Sequence, residues 1–233
     1  MTLLSVVKDV CAAVGVAIPQ TVFANITGNR TMQEMVSLAN EMAQRIAYDQ
    51  RDWQKYTKTK VFTGDGVTSA FDMPADFKRM HLTADVWRST STQVPMTYIA
   101  DANEWLQRRI YGQTASQGEW TRQADQMLFY PTLGSGVTAS FVYMHKNCVS
   151  LAAGGLGDTF VADGDSYTLD ERTLKLGMIW QWKANKGAAY AEDMGSYGDA
   201  LAKIQGNDKP APILVGRRPM SQQPNTSYPY PLL

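Results

Sequence analysis

The hydrophobic pattern of this sequence changes period twice, from about 3.6 residues to about 2 and back, so helices at both ends must frame a β region. Leu3, Val6, Val7, Val10 and Val14 mark one face of a first helix, which Gly15 and Pro19 stop. In the second, "TMQE" (Thr31 to Glu34) has the form of a capping box, with Met35, Ala39, Met42 and Ile46 forming a face that runs to about Gln50. Toward the other end, "TLDE" (Thr168 to Glu171) offers another capping box before a helix reaching about Gly187. Tyr190, Met194, Tyr197, Leu201 and Ile204 then alternate steps of 4 and 3 along a fourth helix, with Gly206 as its stop.

Between them, short β-rich runs are separated by turn residues. Gly64, Asp65 and Gly66 read as the turn of a hairpin closed by Pro74. "MHLTADVW", "PMTYIA", "EWTRQ", "QMLFYP" and "VTASFVYMHK" continue the series. Residues 101–112 interrupt it as a short helix expected to pack through Trp105, Leu106 and Ile110. Gly154, Gly155 and Gly157 read as a flexible connection. The expected fold class is therefore α+β: a four-helix bundle, two helices from each end, with an inserted mainly antiparallel β domain and an extended C-terminal arm. Its parts are residues 1–55, the β insertion 58–150, residues 168–206 and the arm 207–233.

Six of the ten prolines fall in that arm, and proline resists both helix and central strand. Acids are absent after Asp208, while Arg217 and Arg218 add positive charge. An apolar arm of this kind orders on a partner's surface, and its candidate contact residues are Pro210, Pro212, Ile213, Leu214, Val215, Arg217, Arg218, Tyr228, Tyr230 and Leu232. The chain as a whole is electrically balanced, with 22 basic and 22 acidic residues. That excludes the global basic field of a nucleic-acid binder. The N-terminus lacks a basic n-region, and Lys8 and Asp9 break its apolar run, so it reads as a helix and not a signal peptide. With no apolar run of membrane length, the expectation is a soluble protein without a membrane partner, made in the cytoplasm.

Catalytic patterns are missing. Cys11 and Cys148 are too few for a disulfide framework or a metal site. His81 and His145 have no acid or cysteine at catalytic spacing. "GGLGD" lacks the Lys-Ser/Thr of a P-loop, and "DGDSYTLDE" has Thr168 where a calcium loop needs glycine. The expectation is a protein that is not an enzyme and holds no cofactor or metal. What remains is surface. Trp180 and Trp182 stand two apart on one helix and so point roughly 200° apart. Each needs a covering layer, either the chain's own bundle and sheet or a neighbouring copy. With Lys183 and Lys186 they form the candidate subunit-interface or interlayer set.

The order and spacing of "LLSVVKDVCAAVGV", "LANEMAQRIAYDQRDWQ", "FDMPADFKRM", "QMLFYPTLGSGVTASFVYMHKN" and "LDERTLKLGMIWQWKANKGAAYAEDMGSYGDAL" cover most of residues 1–206. Together they resemble the head-to-tail adaptor proteins of tailed bacteriophages, of the tail-tubular-protein-A type found in short-tailed phages. The resemblance implies a dodecameric ring in the virion neck, beneath the portal protein and above the tail nozzle protein, whose lumen passes DNA without binding it specifically. It implies that the bundle makes much of the ring and that the arm reaches the portal. Two other readings stay open: a tail-completion or decoration protein that never touches the portal, and an adaptor whose β domain binds or hydrolyses envelope material through Glu104 or Glu119.

Overall fold

The computed structural model describes residues 1–82, 84–90 and 94–208. Helix α1 (Leu3–Val14) starts in a reciprocal cap between Thr2 and Ser5 and ends where Gly15 turns left-handed at φ 73°. Helix α2 (Arg30–Gln44) continues through a π-helical turn, Arg45–Asp49. Its cap is Asn29, whose side chain takes the amides of Thr31 and Met32 at 3.0 and 3.3 Å. The Thr31 to Glu34 box does not form, and Glu34 pairs instead with Arg30 and Lys186. The four-residue pattern recurs too readily to place a cap when a better acceptor sits two positions upstream.

After a 3-10 turn at Gln54–Tyr56 the chain enters β1 (Thr57–Thr63), followed by β2 (Ala70–Asp72), β3 (Phe77–Met80), β4 (Trp87–Arg88) and β5 (Thr97–Tyr98). Helix α3 (Ala102–Ile110) precedes β6 (Glu119–Gln123), β7 (Gln126–Tyr130) and β8 (Thr138–His145). The expected hairpin around Gly64 to Gly66 does not exist. β1 pairs with β8 from Thr57↔Met144 to Thr63↔Thr138, whereas β2 pairs with β7 in a different sheet. The Gly-Asp-Gly loop closes against the loop before β8, with Gly64 N–H to the Val137 carbonyl at 2.8 Å and Gly66 N–H to that of Leu133 at 3.0 Å. A Cβ on Gly64 would lie 2.3 Å from the Leu133 carbonyl oxygen, so only glycine admits this approach.

One sheet has the order β1-β8-β3, with β4 also on β8, and the other has β2-β7-β6-β5. All pairs are antiparallel except β5 with β6. The two sheets enclose an apolar core that includes Phe62, Met127, Phe129, Leu133 and Phe141. Of the residues expected to seat α3, only Trp105 is buried, and Leu106 and Ile110 face solvent. The helix is held instead by Arg108 and Arg109, described below.

The glycine-rich stretch 154–157 is not a plain connection. Strands β9 (Val149–Ser150), β10 (Leu156–Gly157) and β11 (Ser166–Tyr167) form a small antiparallel sheet in the order β10-β9-β11. Val149, Phe160 and Tyr167 from this region join the helical core. Helix α4 (Glu171–Asn185) is capped by Asp170, which takes the Thr173 amide at 2.7 Å, so the Thr168 to Glu171 box is displaced as well. Thr168 instead donates its hydroxyl to the Cys148 carbonyl at 2.7 Å. Helix α5 (Ala191–Asn207) runs through Gly206, which keeps a helical backbone and does not act as a stop. Asp208 closes it, with its amide on the Ile204 carbonyl at 3.1 Å and its carboxylate on Arg51 at 3.5 Å.

Helix α4 is the centre of the helical layer, packing against α1, α2 and α5. Gly177 makes this possible, because a Cβ there would sit 2.6 Å from the Met42 methyl and 3.2 Å from the Tyr197 ring. The α+β class therefore holds, with five α-helices among the described residues and sheets that are mainly antiparallel. Strand β8 joins the two cores: Ala139, Phe141 and Tyr143 serve the β core, and Met144 the helical one.

His145 ends that strand, edge-on to Tyr56 with ring centroids 5.5 Å apart. Its Nδ1 accepts the Asn147 amide at 3.2 Å, which requires an unprotonated nitrogen. Burial, with Lys58 adding to it, pushes this imidazole below its ordinary value of 6.5. The unfolded chain therefore takes up the proton first as pH falls through 6.5, and folded stability drops there, while above 6.5 the residue contributes no pH dependence. The urea midpoint of the native chain is expected to fall between about pH 7 and about pH 5, and His145→Gln to flatten that slope.

Candidate functional site

Trp180 and Trp182 both belong to the helical core, so the β core covers neither. Trp182 is buried on the side of α2, with the Lys186 ammonium 4.7 Å from its ring centroid. Trp180 faces α5, its ring 6.3 Å from Tyr190 and 6.0 Å from Tyr197. Its indole N–H is buried without a partner among the described residues. The layers that cover the two tryptophans are thus two helices of the same chain. The lysines are also committed within the chain, Lys183 to Asp193 at 2.6 Å and Lys186 to Glu34 at 2.7 Å. Hydrogen bonds from Lys186 and Arg30 hold the Glu34 carboxyl below its usual range.

Between α2 and α4 lies an open groove of 660 Å³ lined by Arg30, Glu34, Glu41, Arg45, Trp182 and Lys186, among others. Charges of both signs alternate along it, the character of a protein-contact surface more than of a small-molecule pocket. The arm positions named above, from Pro210 to Leu232, lie outside the described residues.

The acids considered for envelope chemistry are placed quite differently. Glu119, on β6, is completely buried and accepts Arg108 Nη1 at 2.9 Å, Arg109 Nη2 at 2.6 Å and the Ala115 amide at 3.0 Å. Arg109 is itself sandwiched, with its guanidinium carbon 4.0 Å from the Trp105 ring centroid and 3.3 Å from that of Tyr130. Glu104 is spent on Arg108 at 2.8 Å. This clasp seats α3 on the sheet and leaves Glu119 closed to any substrate. Sequence reasoning missed it; the available signal was an acid beside Trp120 at the start of a strand, ten residues after two adjacent arginines.

Other polar clusters also organise backbone. The buried Asp165 takes the amides of Ala152, Val161 and Ala162 at 2.7–2.9 Å, and Asp163 those of Val22 and Phe23. His81 lies 3.1 Å from Asp52, which also receives the Leu82 amide and Arg79. Burial would raise the Asp52 carboxyl, but the Leu82 amide and the Arg79 guanidinium outweigh it and hold it below its usual range. Among the described residues no three His, Cys, Asp or Glu side chains gather as metal ligands would. Cys11 and Cys148 are buried free thiols. No helix of the described residues is long and apolar enough to cross a membrane.

The polar clusters of the described residues are thus spent on holding backbone and helices in place, and an open groove of mixed charge remains between α2 and α4. A family model described as SU10 adaptor protein matches residues 1–221, and the chain belongs to that family of bacteriophage adaptors. It is a virion component with a structural role at the head–tail junction, where an adaptor binds other head or tail proteins. No curated protein matches the chain.

Proposed function

We propose that this adaptor is of the tail-tubular-protein-A type. In this reading copies of the chain form a dodecameric ring between the portal protein and the tail nozzle protein, and the ring continues the DNA channel. The family match over residues 1–221 carries the reading. The four helices α1, α2, α4 and α5, packed as a bundle around α4, form the body of the ring, and Trp180, Trp182, Lys183 and Lys186 set its internal layers. Residues 207–233 engage the portal, and repetition around the ring multiplies a modest contact into a stable one. The equal count of acidic and basic residues suits a conduit, since tight phosphate contacts would retard DNA. No catalytic role is proposed. The chain is made in the host cytoplasm and has no membrane partner.

Support for self-association comes from α5. Ala191, Gly195, Gly198, Ala202 and Gly206 are all exposed and recur at steps of 4, 3, 4 and 4. A Cβ added to any of the three glycines meets nothing within 4 Å. Glycine in an exposed helix costs about 1 kcal/mol relative to alanine, with no return inside the chain, whereas it lets a neighbour's backbone come close. Gly195→Ala with Gly198→Ala is therefore expected to raise the melting temperature of the free chain while lowering the fraction that assembles, read by thermal melts and by solution mass at equal concentration.

The adaptor reading is tested by mixing the full chain with its cognate portal and measuring the mass of the complex. A complex of full-length protein that residues 1–206 fail to form is expected. Equal binding by both would remove the arm from the contact, and binding by neither would sink the portal assignment.

A further inference from the structure

The parallel pairing of β5 and β6 sets Tyr98 directly beside Trp120, with ring centroids 4.5 Å apart and planes tilted by 36°. Together with Met80 and Met96 they line a 440 Å³ cleft, in which Tyr98 is 53% exposed and Trp120 is buried behind it. Asp85 and Arg122 also line it, and neither has an ion pair or hydrogen-bond partner among the described residues. Arg122 is braced against the Phe77 ring, its guanidinium carbon 4.8 Å from the centroid, so its remaining N–H groups are held at the wall. An aromatic ledge, a fixed donor and a free carboxylate are what a proline-containing extended chain requires. Such a chain makes no internal hydrogen bonds and presents bare carbonyls to a donor; its rings stack on aromatics, and a flanking basic side chain needs an acid.

The sequence supplies one such chain. Residues 209–233 contain six prolines, Lys209, Arg217 and Arg218, and no acid. They begin at a known place. Asp208 is tied to Arg51 and to the Gln54 amide, and Asp52, next in sequence to Arg51, holds the Leu82 amide and His81. Leu82 lies between Met80 and Ala84, both of which line the cleft. At about 3.1 Å per residue, Arg217 lies within about 28 Å of Asp208 along an extended path.

We infer that the Tyr98–Trp120 cleft docks the Arg217 to Pro219 stretch of its own chain, with a proline stacked on the Tyr98 ring that Trp120 backs, Arg122 donating to backbone carbonyls and Asp85 taking an arginine. The inference does not depend on the portal assignment, since it concerns the isolated protein. It adds one to that assignment: a partner that takes the arm has first to displace it from this cleft.

The test uses the full-length protein without portal. Trypsin does not cut before proline, so its one site within residues 209–233 is the Arg217–Arg218 bond. Cleavage there is expected to be at least tenfold faster in Tyr98→Ala and in Asp85→Lys than in the native chain. Both side chains lie at the cleft and outside the apolar core, and two variants guard against one misfolding. A second measurement pairs Ala84→Cys with Met220→Cys under mild oxidation, the native cysteines being buried. It is expected to give a disulfide within one chain, which a control pairing Val61→Cys with Met220→Cys does not form. Unchanged cleavage rates in both variants, equal trapping by the control, or a disulfide that joins two chains would each overturn the inference.

Discussion

Glu119→Ala is expected to cost about 3–5 kcal/mol of folding stability, the range for breaking a buried charge pair by removing one partner. Glu119 is fully buried and neutralises Arg109, whose side chain is only 19% exposed and is closed in by Trp105 and Tyr130. Without the carboxylate, Arg109 remains between two rings with nothing to balance it. Burial already pulls its guanidinium below the ordinary arginine value, with Glu119 the chief opposing influence. Helix α3 has no apolar stripe to fall back on, since Leu106 and Ile110 face solvent. The loss is therefore expected to appear as detachment of α3, seen as fast hydrogen exchange across residues 101–112 at denaturant levels where β8 stays protected. Glu119→Gln keeps the shape and part of the hydrogen bonding, and is expected to cost less than the alanine.

The same measurement bears on envelope hydrolysis. That reading treats Glu119→Gln as removal of a reacting group, with a stable protein and lost activity. The clasp reverses the expectation: Glu119→Gln lowers stability, because the carboxylate holds Arg108 and Arg109 and does not face a substrate. A Glu119→Ala protein as stable as the native chain would refute the clasp.

How far the fold could be read in the sequence follows from what each pattern encodes. Leu3 to Val14 and Gly15 gave α1 and its end because a helix and its glycine stop are local properties. The two capping boxes failed for a related reason: Asn29 and Asp170 are equally local acceptors, and a spacing rule does not choose among them. Alternation in residues 57–63 marked a strand but not its partner, since β8 lies about 75 residues further on and only the folded loops bring Gly64 to Leu133. Trp180 and Trp182 were legible as side chains needing two covers, and the identity of the covers, α5 and α2, was not. The Glu119 clasp depends on how the loop after α3 folds α3 back onto β6, and the Tyr98–Trp120 cleft on β6 pairing with β5 from the other side of α3. Pairings of that kind leave no periodic trace.

Trp53→Ala is expected to be the other large loss, about 4–5 kcal/mol, at the upper end for deleting a buried aromatic. Trp53 is 1% exposed and sits where the helical layer hands the chain to β1. Its size is one part of the effect. The other is its Nε1, which donates to the Ile46 carbonyl at 2.8 Å, within the π-helical turn that ends α2. A π turn disrupts the regular ladder of backbone bonds, and this indole supplies a buried donor to a carbonyl within it. Trp53→Phe separates the two parts, because it keeps most of the ring volume and deletes the donor. Its cost is expected at about 1–3 kcal/mol, with the loss concentrated in exchange protection of residues 45–49. The remainder, the difference between phenylalanine and alanine, is expected to reach the whole helical core and to loosen the Arg51–Asp208 tie at the end of α5. Equal costs for the two variants, measured as urea midpoints, would show that the hydrogen bond and not the packing dominates at this junction.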